Sequence, residues 1–284
     1  MKKLLITGCN GQLGRSLNQL LKDTDNVVIN TDVDTLDICD DAQVMELVGS
    51  EKPDIIINCA AHTAVDKCET DKENAARINA LGPKNLARAA HKFGAEIVQV
   101  STDYVFDGGG KRPYVESDDP NPQSVYGSTK LDGEKAVMEE TDRYYIIRTA
   151  WLYGQGKNFV ETMLRLSDER DEISVVNDQY GSPTSSLELA RMILYVTDKG
   201  GYGIYHGTCE GKTSWCGFAK EIMRLAGRST KIVPVTTEEY TAAVAKRPMY
   251  SVLENKKLNS MGDYRMKPWE YALKEYMDNR MQQQ

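Results

Sequence analysis

The chain has 284 residues, of which 40% are hydrophobic and 27% are charged, with a formal net charge of −7 and a pI near 5.2. These values predict a soluble globular protein with one large domain or two smaller ones. The acidic balance argues against nucleic acid as the main partner, and no apolar run approaches the roughly 20 residues that a membrane span needs.

The first apolar segment and the cysteines indicate where such a chain works. Only Leu4–Ile6 is apolar near the N-terminus, whereas a signal peptide needs about 7–15 apolar residues, so we interpret this segment as a buried strand. The six cysteines show neither C-x-x-C spacing nor a zinc-ligand cluster, and free thiols favour a cytoplasmic location. Cys59, in an apolar run, is expected to be a small core residue.

The first 150 residues alternate between strand and helix patterns. Strands are predicted at Lys3–Thr7, Asn26–Asp32, 53–61, Glu96–Val100 and Tyr144–Ala150. Helices are predicted at Gln12–Leu21, 39–51 with Asp40 or Asp41 as cap, Glu73–Phe93 and around 124–137. Repeated strand–helix–strand units with apolar strands predict an α/β fold of the Rossmann type, a doubly wound parallel sheet covered by helices on both faces.

The pattern becomes less regular after about Trp151. Helices are still predicted at Phe159–Ser167, Leu187–Thr197, Trp215–Ala226 and Pro268–Asn279. We interpret residues 1–150 as the dinucleotide-binding domain and residues 151–284 as mainly a smaller C-terminal substrate-binding region over the carboxyl edge of the sheet. Some later segments could return to the first domain.

A glycine-rich segment, TGCNGQLG at residues 7–14, follows the first strand and opens the first helix. Gly8 permits a tight turn, Gly11 lets a pyrophosphate approach the backbone, and Gly14 allows close packing of the helix on the strand. A plain strand-to-helix turn is the alternative, but it would not require three glycines. The predicted cofactor contacts in this segment are Gly8, Asn10, Gly11, Gln12, Leu13 and Gly14.

The end of the second strand bears on the choice of nicotinamide cofactor. Asp32 lies 24 residues after Gly8, where a carboxylate can accept hydrogen bonds from a ribose 2′-OH and would repel a 2′-phosphate. The absence of Lys and Arg from Val27–Ile38 also favours NADH, while NADPH remains open. We expect Leu36–Ile38 to flank the adenine, with Asp37 and Ile38 as cofactor contacts.

Tyr126 and Lys130 are separated by one helical turn, so both side chains can lie on one face of a helix. Hydride reduction of a carbonyl leaves an alkoxide that needs a proton, but the pKa of a free phenol is about 10. An ammonium about 4 Å away would favour the phenolate by roughly 4 kcal/mol at an effective dielectric of about 20, which predicts a pKa near 7 for Tyr126. The alternative is a solvated Tyr and Lys on an amphipathic helix.

The glycine spacing, the Asn-Cys-Ala-Ala end of the third strand (58–61) and Tyr-Gly-Ser-Thr-Lys (126–130) together resemble the extended short-chain dehydrogenase/reductase family. The resemblance covers nearly the whole chain. It implies NADPH or NADH as cofactor and Thr102, Tyr126 and Lys130 as catalytic residues. Further cofactor contacts implied by the resemblance are Ala60, Ala61, Thr63, Asn79, Tyr126 and Lys130.

The residues after Thr102 point to one branch of that family. Dehydratases of the family carry Thr-Asp-Glu, whereas this chain has Thr102-Asp103-Tyr104, so simple reduction is favoured over water elimination. Five motifs, at 60–69, 101–108, 149–154, 177–185 and 247–258, resemble the reductases that act on the C4 ketone of a dTDP-linked 4-keto-6-deoxyhexose.

This closer resemblance implies the substrate contacts Val65, Asp66, Thr102, Asp103, Tyr104, Trp151 and Arg247. The Trp151 indole supplies an apolar wall and one N–H donor for a sugar, and the planar fork of Arg247 suits a diphosphate. A core position for Trp151 and a solvated loop position for Arg247 are the alternatives.

Some family members bind magnesium through acidic residues near a dimer interface. The C-terminal segment here shows no clear acidic cluster, so we expect no required metal; monomer and homodimer both remain open. Two other functions stay open as well: a reductase or epimerase of another nucleotide sugar, and a non-catalytic, cofactor-binding regulatory subunit.

Overall fold

A six-stranded parallel sheet forms the centre of the protein, whose computed structural model describes residues 1–240 and 245–282. The strands are β1 (Lys3–Thr7), β2 (Val27–Thr31), β3 (Ile55–Asn58), β4 (Glu96–Thr102), β5 (Tyr144–Thr149), β6 (Leu152–Tyr153), β7 (Glu172–Val176), β8 (Tyr180–Gly181), β9 (Thr184–Ser185), β10 (Gly203–His206), β11 (Thr213–Ser214) and β12 (Lys231–Val235). The helices are α1 (Gln12–Leu21), α2 (Asp41–Glu51), α3 (Val65–Cys68), α4 (Lys72–Ala76), α5 (Gly82–Phe93), α6 (Val125–Glu140), α7 (Phe159–Glu169), α8 (Ser186–Lys199), α9 (Trp215–Leu225), α10 (Lys256–Ser260) and α11 (Trp269–Gln282).

The strand order across the sheet is β2-β1-β3-β4-β5-β10. From β1 the chain first moves outward to β2 and then crosses back to β3 on the other side of β1. In open parallel sheets, ligands bind beyond the carboxyl ends of the strands where the order reverses in this way. The topology therefore places a crevice above the ends of β1 and β3, where Thr7 lies opposite Asn58.

Helices cover both faces of this sheet, which confirms the doubly wound fold predicted from the sequence. On one face, Leu13 and Leu17 of α1 pack with Leu189 and Ile193 of α8 against the strands. On the other face, helices α2, α5 and α6 bury side chains such as Leu86. Because both faces are covered, all four residues of β3 are buried, as the continuous apolar run predicts.

A second core lies in the later half of the chain. Helices α7, α9 and α11 pack around the two-stranded parallel sheet of β7 and β12, with Tyr153, Phe218 and Trp269 inside. Two later segments join the large sheet instead: β10 pairs with β5, and α8 packs on α1. The residues after 150 thus contribute to both cores.

Local signals in the sequence explain several element boundaries. Asp40 caps α2, since its Oδ1 accepts the N–H groups of Ala42 and Gln43, as predicted. The predicted long helix of Glu73–Phe93 is continuous from α4 to α5 but contains a π-helical turn at Arg77–Leu81. None of the described helices is both long enough and apolar enough to cross a membrane.

Candidate active site

A cavity of about 810 Å³ opens at the carboxyl ends of the strands, between the large sheet and the second core. The predicted site residues that line it are Gly8, Gly11, Gln12, Leu13, Asp32, Asp37, Ile38, Ala60, Ala61, Thr63, Val65, Thr102, Asp103, Tyr104, Tyr126, Lys130 and Trp151. The predicted site residues outside its lining are Asn10, Gly14, Asp66, Asn79 and Arg247. Most of the predicted set is therefore brought together around one cavity.

The glycine loop is shaped by contacts that only glycine allows at two positions. Gly8 has a φ of +62°, and a Cβ added there would lie 2.8 Å from the backbone nitrogen of Ala60. A Cβ at Gly14 would lie 2.5 Å from the carbonyl oxygen of Gly8, so Gly14 serves the packing of helix on loop. At Gly11, by contrast, the added Cβ would meet only the Gly8 oxygen within 4 Å, which leaves room for a ligand beside the loop.

The start of α1 suits an anionic ligand. Its cap residue Gly11 provides no side-chain hydrogen bond, and its first turn contains no acidic residue, so backbone N–H groups remain available at this end of the helix. The Oε1 atom of Gln12 is buried without a hydrogen-bond partner among the described residues. The backbone N–H groups therefore fit the diphosphate of a dinucleotide, whereas the Gln12 amide oxygen, an acceptor, would need a donor from the ligand.

Asp32 supports the glycine loop directly. Its Oδ2 accepts the backbone N–H of Asn10 at 2.9 Å, and its Oδ1 accepts that of Val33 at 2.9 Å. The backbone N–H of Asn10 is thus bound to Asp32, and Asn10 does not line the cavity. Each carboxylate oxygen has a further lone pair, so Asp32 can still accept a hydrogen bond from a ribose hydroxyl.

The structure adds a cation that the sequence argument about cofactor choice did not consider. Arg77, on the π-helical turn, lines the cavity and donates from Nη1 to Oδ2 of Asp37 at 3.0 Å. The Cys39 backbone N–H and the Arg77 guanidinium hold the pKa of Asp37 below its ordinary value. A positive charge therefore stands beside Asp37 and Ile38, the residues expected to flank the adenine, although residues 27–38 contain none.

Thr102, Tyr126 and Lys130 all lie on the cavity wall, with Thr102 at the end of β4 and the other two on α6. The Thr102 hydroxyl lies beside the Tyr126 phenol and acts to lower its pKa. The Lys130 Nζ donates to the carbonyl of Val100 at 2.6 Å. This arrangement supports the predicted grouping of a hydroxyl, a phenol and an ammonium.

The prediction that Lys130 lowers the pKa of Tyr126 to near 7 is wrong for this structure. Burial raises the pKa of the Tyr126 phenol above its ordinary value, and the nearby Asp103 adds to the rise. Burial also lowers the pKa of Lys130 to about 8. Loss of solvent disfavours both charged forms, and this effect outweighs the attraction assumed from spacing alone. Tyr126 is therefore held as a neutral phenol.

A buried ion pair beneath Lys130 was not found from the sequence. Arg148 on β5 donates from Nη2 to Oε2 of Glu134 at 2.7 Å, and both side chains are almost completely buried. The Ser101 hydroxyl also donates to Glu134. Glu134 lies one helical turn beyond Lys130 and favours its charged form. The pair ties α6 to the ends of β4 and β5, and so fixes the helix that carries Tyr126.

Arg247, Asp66 and Tyr104 form a cluster beside the cavity. Arg247 donates from Nη1 to the Tyr104 hydroxyl at 3.1 Å and from Nη2 to Oδ2 of Asp66 at 2.6 Å. The Tyr104 ring in turn meets the Tyr126 ring edge to face, with centroids 5.4 Å apart. Arg247 is therefore no solvated loop charge: it is linked through Tyr104 to the centre of the site.

Trp151 stands at the cavity wall in an unusual backbone conformation. Its φ is +48°, in the left-handed region that a bulky residue rarely adopts. Its indole stacks on that of Trp215, with ring centroids 3.5 Å apart and planes 7° apart. A Cβ at Gly181 would lie 2.4 Å from the Trp151 ring. The indole is half-buried rather than a core side chain, and both tryptophans line the cavity.

Two predictions about single residues need correction or refinement. Cys59 follows the last residue of β3 instead of lying within the strand; it is partly buried, packs against the core and also lines the cavity, and burial raises its thiol pKa to about 12. Asn79 is buried, and its side chain accepts the N–H of His62 and donates to the Thr129 hydroxyl. Asn79 thus fixes the backbone after β3.

Several lining residues were missed. They are Thr7, Val33, Cys39, Cys59, Arg77, Ile78, Val100, Ser101, Thr149, Ala150, Leu152, Lys157, Asn158 and Trp215, whereas Leu36, which was expected beside the adenine, also lines the cavity. Those at strand ends could have been found by the rule that ligands bind beyond the carboxyl ends of parallel strands. Trp215 and Lys157 carried no such signal, because they approach from the second core. Across residues 1–240 and 245–282, no group of three His, Cys, Asp or Glu side chains is placed to hold a metal ion.

The family of the chain follows from comparisons with known proteins. The family model described as the RmlD substrate binding domain matches residues 1–282. A solved dTDP-4-dehydrorhamnose reductase from Clostridium acetobutylicum is 53% identical with a TM-score of 0.96, and the match covers 98% of this chain and 99% of that chain. A dTDP-4-dehydrorhamnose reductase from Bacillus anthracis, solved in complex with NADP, is 42% identical with a TM-score of 0.95, covering 98% and 99%.

A curated relative extends the match. The spore coat polysaccharide biosynthesis protein SpsK of Bacillus subtilis is 42% identical over 281 residues, which are 99% of this chain and 98% of that protein. These matches span nearly the full length of both partners. They confirm the resemblance inferred from the motifs, and the chain belongs to the RmlD substrate binding domain family.

Proposed function

We propose that the protein reduces the C4 ketone of dTDP-4-dehydro-L-rhamnose to dTDP-L-rhamnose, with NADPH or NADH as the reductant. The observation that carries the proposal is the joint placement of the glycine loop, Thr102, Tyr126 and Lys130 around one cavity. The relatives from Clostridium acetobutylicum and Bacillus anthracis carry the name of this activity, and the latter was solved with NADP. The spore coat relative favours a role in making a cell-surface polysaccharide.

The cofactor belongs in the half of the cavity beside the glycine loop. The diphosphate would bind the N–H groups at the start of α1, while Asp32 accepts a ribose hydroxyl and Asp37 and Ile38 flank the adenine. When bound, the reduced nicotinamide supplies the hydride. Lys130 lines the same cavity as Tyr126, and in this proposal its ammonium holds the nicotinamide ribose.

Tyr126 is the proton donor in this proposal. As hydride reaches C4, negative charge develops on the ketone oxygen, and the neutral phenol of Tyr126 gives its proton to that oxygen. The raised pKa of Tyr126 keeps the proton in place until an alkoxide, a much stronger base, is formed. Thr102 fixes the position of the oxygen, and the Lys130 charge favours the phenolate left behind.

The sugar nucleotide belongs in the other half of the cavity. The indole of Trp151, backed by that of Trp215, offers a flat apolar wall for the deoxyhexose. Val65 lines the same cavity, and the Arg247 guanidinium beside it is a donor for the diphosphate. Asp66 and Tyr104 orient that guanidinium.

Two other functions remain as alternatives. A reductase or epimerase of another nucleotide sugar would use the same fold, and solved epimerases share it at low identity. A non-catalytic regulatory subunit would bind cofactor without turning it over. The intact grouping of Thr102, Tyr126 and Lys130 favours catalysis over the regulatory function.

One experiment separates these functions. The purified protein is given enzymatically prepared dTDP-4-dehydro-L-rhamnose with NADPH or NADH, and both cofactor absorbance and product are followed. The proposal expects oxidation of one cofactor per product formed. Product without net cofactor oxidation would indicate an epimerase, and cofactor binding without turnover would indicate a regulatory subunit.

The Tyr126→Phe variant tests the proton donor. We expect a loss of turnover of about 10²- to 10⁴-fold, the range typical of removing a general acid, with unchanged cofactor affinity. Tyr271→Phe, at an exposed phenol on α11, is the matched control. Full activity of Tyr126→Phe would contradict the assigned role.

Two further proposals concern the setting of the enzyme. A cytoplasmic location fits its six cysteines, all of which are free thiols. Monomer and homodimer are separated by measuring the molar mass in solution, for example by light scattering during gel filtration.

A further inference from the structure

A buried carboxyl group adjoins the catalytic threonine, and the proposed reaction gives it no role as an acid or base. Asp103 follows β4 directly, is only 3% exposed and lies on the cavity wall. The Thr102 hydroxyl donates to its Oδ1 at 3.0 Å. Its Oδ2 is buried and has no hydrogen-bond partner of good geometry among the described residues.

The hydrogen bonds of Thr102 show why this neighbour matters. A threonine hydroxyl has one hydrogen to donate and two lone pairs. The hydrogen points to Asp103, one lone pair accepts the backbone N–H of Tyr104 at 3.2 Å, and the Tyr126 phenol lies beside the same hydroxyl. With Asp103 ionised, Thr102 can only accept from Tyr126. It has no hydrogen left for an oxyanion or a phenolate.

We propose that Asp103 is a positioning residue that works in its neutral form, donating a hydrogen bond from Oδ1 to Thr102 so that the Thr102 hydroxyl can donate toward the reacting oxygens. This inference rests on the proposed reduction. No bond of Asp103 breaks in the reaction: the Tyr126 O–H bond breaks, the new O–H bond forms on the alkoxide at C4, and Thr102 turns its hydrogen toward the phenolate that remains.

The surroundings of Asp103 favour the neutral form. Burial raises the pKa of this carboxyl to about 6. The Ser251 and Thr102 hydroxyls and the backbone N–H groups of Asp103 and Tyr104 act against this rise of the pKa. Oδ2 is nevertheless buried without a hydrogen bond of good geometry among the described residues, as is the Ser251 hydroxyl, and a buried carboxylate oxygen without a donor disfavours the ionised form. If Ser251 donates to Oδ2, the proton of the neutral acid is left on Oδ1, which faces Thr102.

Other charged and titratable groups around Asp103 act in the same direction or stand further away. The phenols of Tyr104 and Tyr126 are its titratable neighbours, and an ionised Asp103 raises the pKa of both. Lys130 lies on α6 one turn after Tyr126, and Arg247 is linked to this part of the site by its hydrogen bond to the Tyr104 hydroxyl. No ion pair to Asp103 occurs in residues 1–240 and 245–282. Phosphates of bound cofactor and substrate would add negative charge and further favour the neutral form.

The test is the pH profile of the reduction for the full-length enzyme and for Asp103→Asn. The asparagine has the same shape, stays neutral, and can donate to Thr102 from its amide. For the wild type we expect kcat to fall as pH rises through the ionisation of Asp103, by up to about tenfold per pH unit. For Asp103→Asn, kcat should stay within about threefold of the low-pH value of the wild type and should no longer fall over this pH range.

Controls keep this result specific. A second fall of kcat near pH 8, where Lys130 loses its proton, should remain in both enzymes. Glu188→Gln, at another buried carboxyl outside the cavity, should leave the wild-type profile intact. Blank rates without enzyme correct for acid decomposition of the reduced cofactor.

Two outcomes would overturn the inference. A loss of more than about 100-fold at every pH in folded Asp103→Asn would mean that the carboxylate form is needed. If kcat of Asp103→Asn falls over the same pH range as kcat of the wild type, the ionisation belongs to another group.

The protonation state of Asp103 can also be measured without turnover, from an infrared difference spectrum of wild type minus Asp103→Asn with NADP⁺ bound. A protonated carboxyl band there, with no reduction of the keto sugar, would contradict the proposed function and the positioning role built on it, and would support only the neutral form of Asp103.

Discussion

The two halves of the cavity are built in different ways. The cofactor half consists mostly of backbone at the ends of successive strands, such as Gly8 after β1, Asp32 after β2 and Ala60 after β3. The substrate half consists of side chains from segments far apart in the chain. Asp66 meets Arg247 across 181 residues, and Tyr104 meets Arg247 across 143.

This difference separates two sources of specificity. The cofactor half depends on backbone conformations that particular glycines permit, so it tolerates few substitutions there. The substrate half depends on side-chain contacts that can be changed without rebuilding the loops. Substitutions in one half should therefore leave binding in the other half largely intact, and four variants test this expectation.

Gly8→Ala should have the largest effect, confined to the cofactor half. The new Cβ would lie 2.8 Å from the Ala60 backbone, so the loop must move, and the left-handed φ adds about 1 kcal/mol. We expect cofactor affinity, measured by calorimetry, to fall at least about tenfold, which corresponds to roughly 1.4 kcal/mol. Gly94→Ala has a similar φ of +78° with nothing within 4 Å, so it controls for backbone strain alone. Equal cofactor affinity in the two variants would contradict the close fit.

Arg247→Ala should have the next largest effect, confined to the substrate half. Removal of a charge-assisted donor costs about 1.5–3 kcal/mol, so KM for the sugar nucleotide should rise about 10- to 100-fold while cofactor affinity stays unchanged. Arg224→Ala, at an exposed arginine paired with Glu221, is the matched control. A change in cofactor affinity instead of KM would show that the two halves are coupled.

Gly181→Ala should produce a smaller effect in the same half. A Cβ there would lie 2.4 Å from the Trp151 indole and must displace it from its stack on Trp215. Overpacking of this kind costs about 1–3 kcal/mol, so we expect KM for the sugar nucleotide to rise about five- to tenfold, with altered tryptophan fluorescence. Gly201→Ala, where the added Cβ meets nothing within 4 Å, should leave both readouts unchanged.

Arg77→Ala should have the smallest effect, and one that depends on the cofactor. Arg77 is exposed and already paired with Asp37, so its charge is partly screened and its contribution to a 2′-phosphate is about 1 kcal/mol or less. We expect KM for NADPH to rise about three- to fivefold while KM for NADH stays constant. Arg112→Ala, at an exposed pair with Asp118, is the control. An equal rise of KM for NADPH and for NADH would show that Arg77 does not discriminate between the two cofactors.

The elements of the first half were predictable because their signals are local. Apolar runs marked β1 and β3, helical spacing marked α1, and Asp40 marked the start of α2. Strand ends in a parallel sheet converge on one edge, so the residues that follow each strand could be assigned to one site in advance. The π-helical turn at Arg77–Leu81 was not predictable, since its spacing differs from an ordinary helix by one residue per turn.

The sequence by itself determined the doubly wound fold, the glycine loop and the identity of the Tyr126–Lys130 pair, because short-range patterns of apolar residues, glycines and helical spacing encode each of them. Only the tertiary structure decided the electrostatics of that pair and the partners of Arg247, Trp151 and Arg77. The physical reason is that a pKa and a long-range contact depend on which groups surround a side chain and on how much water is removed. Residue spacing contains neither quantity.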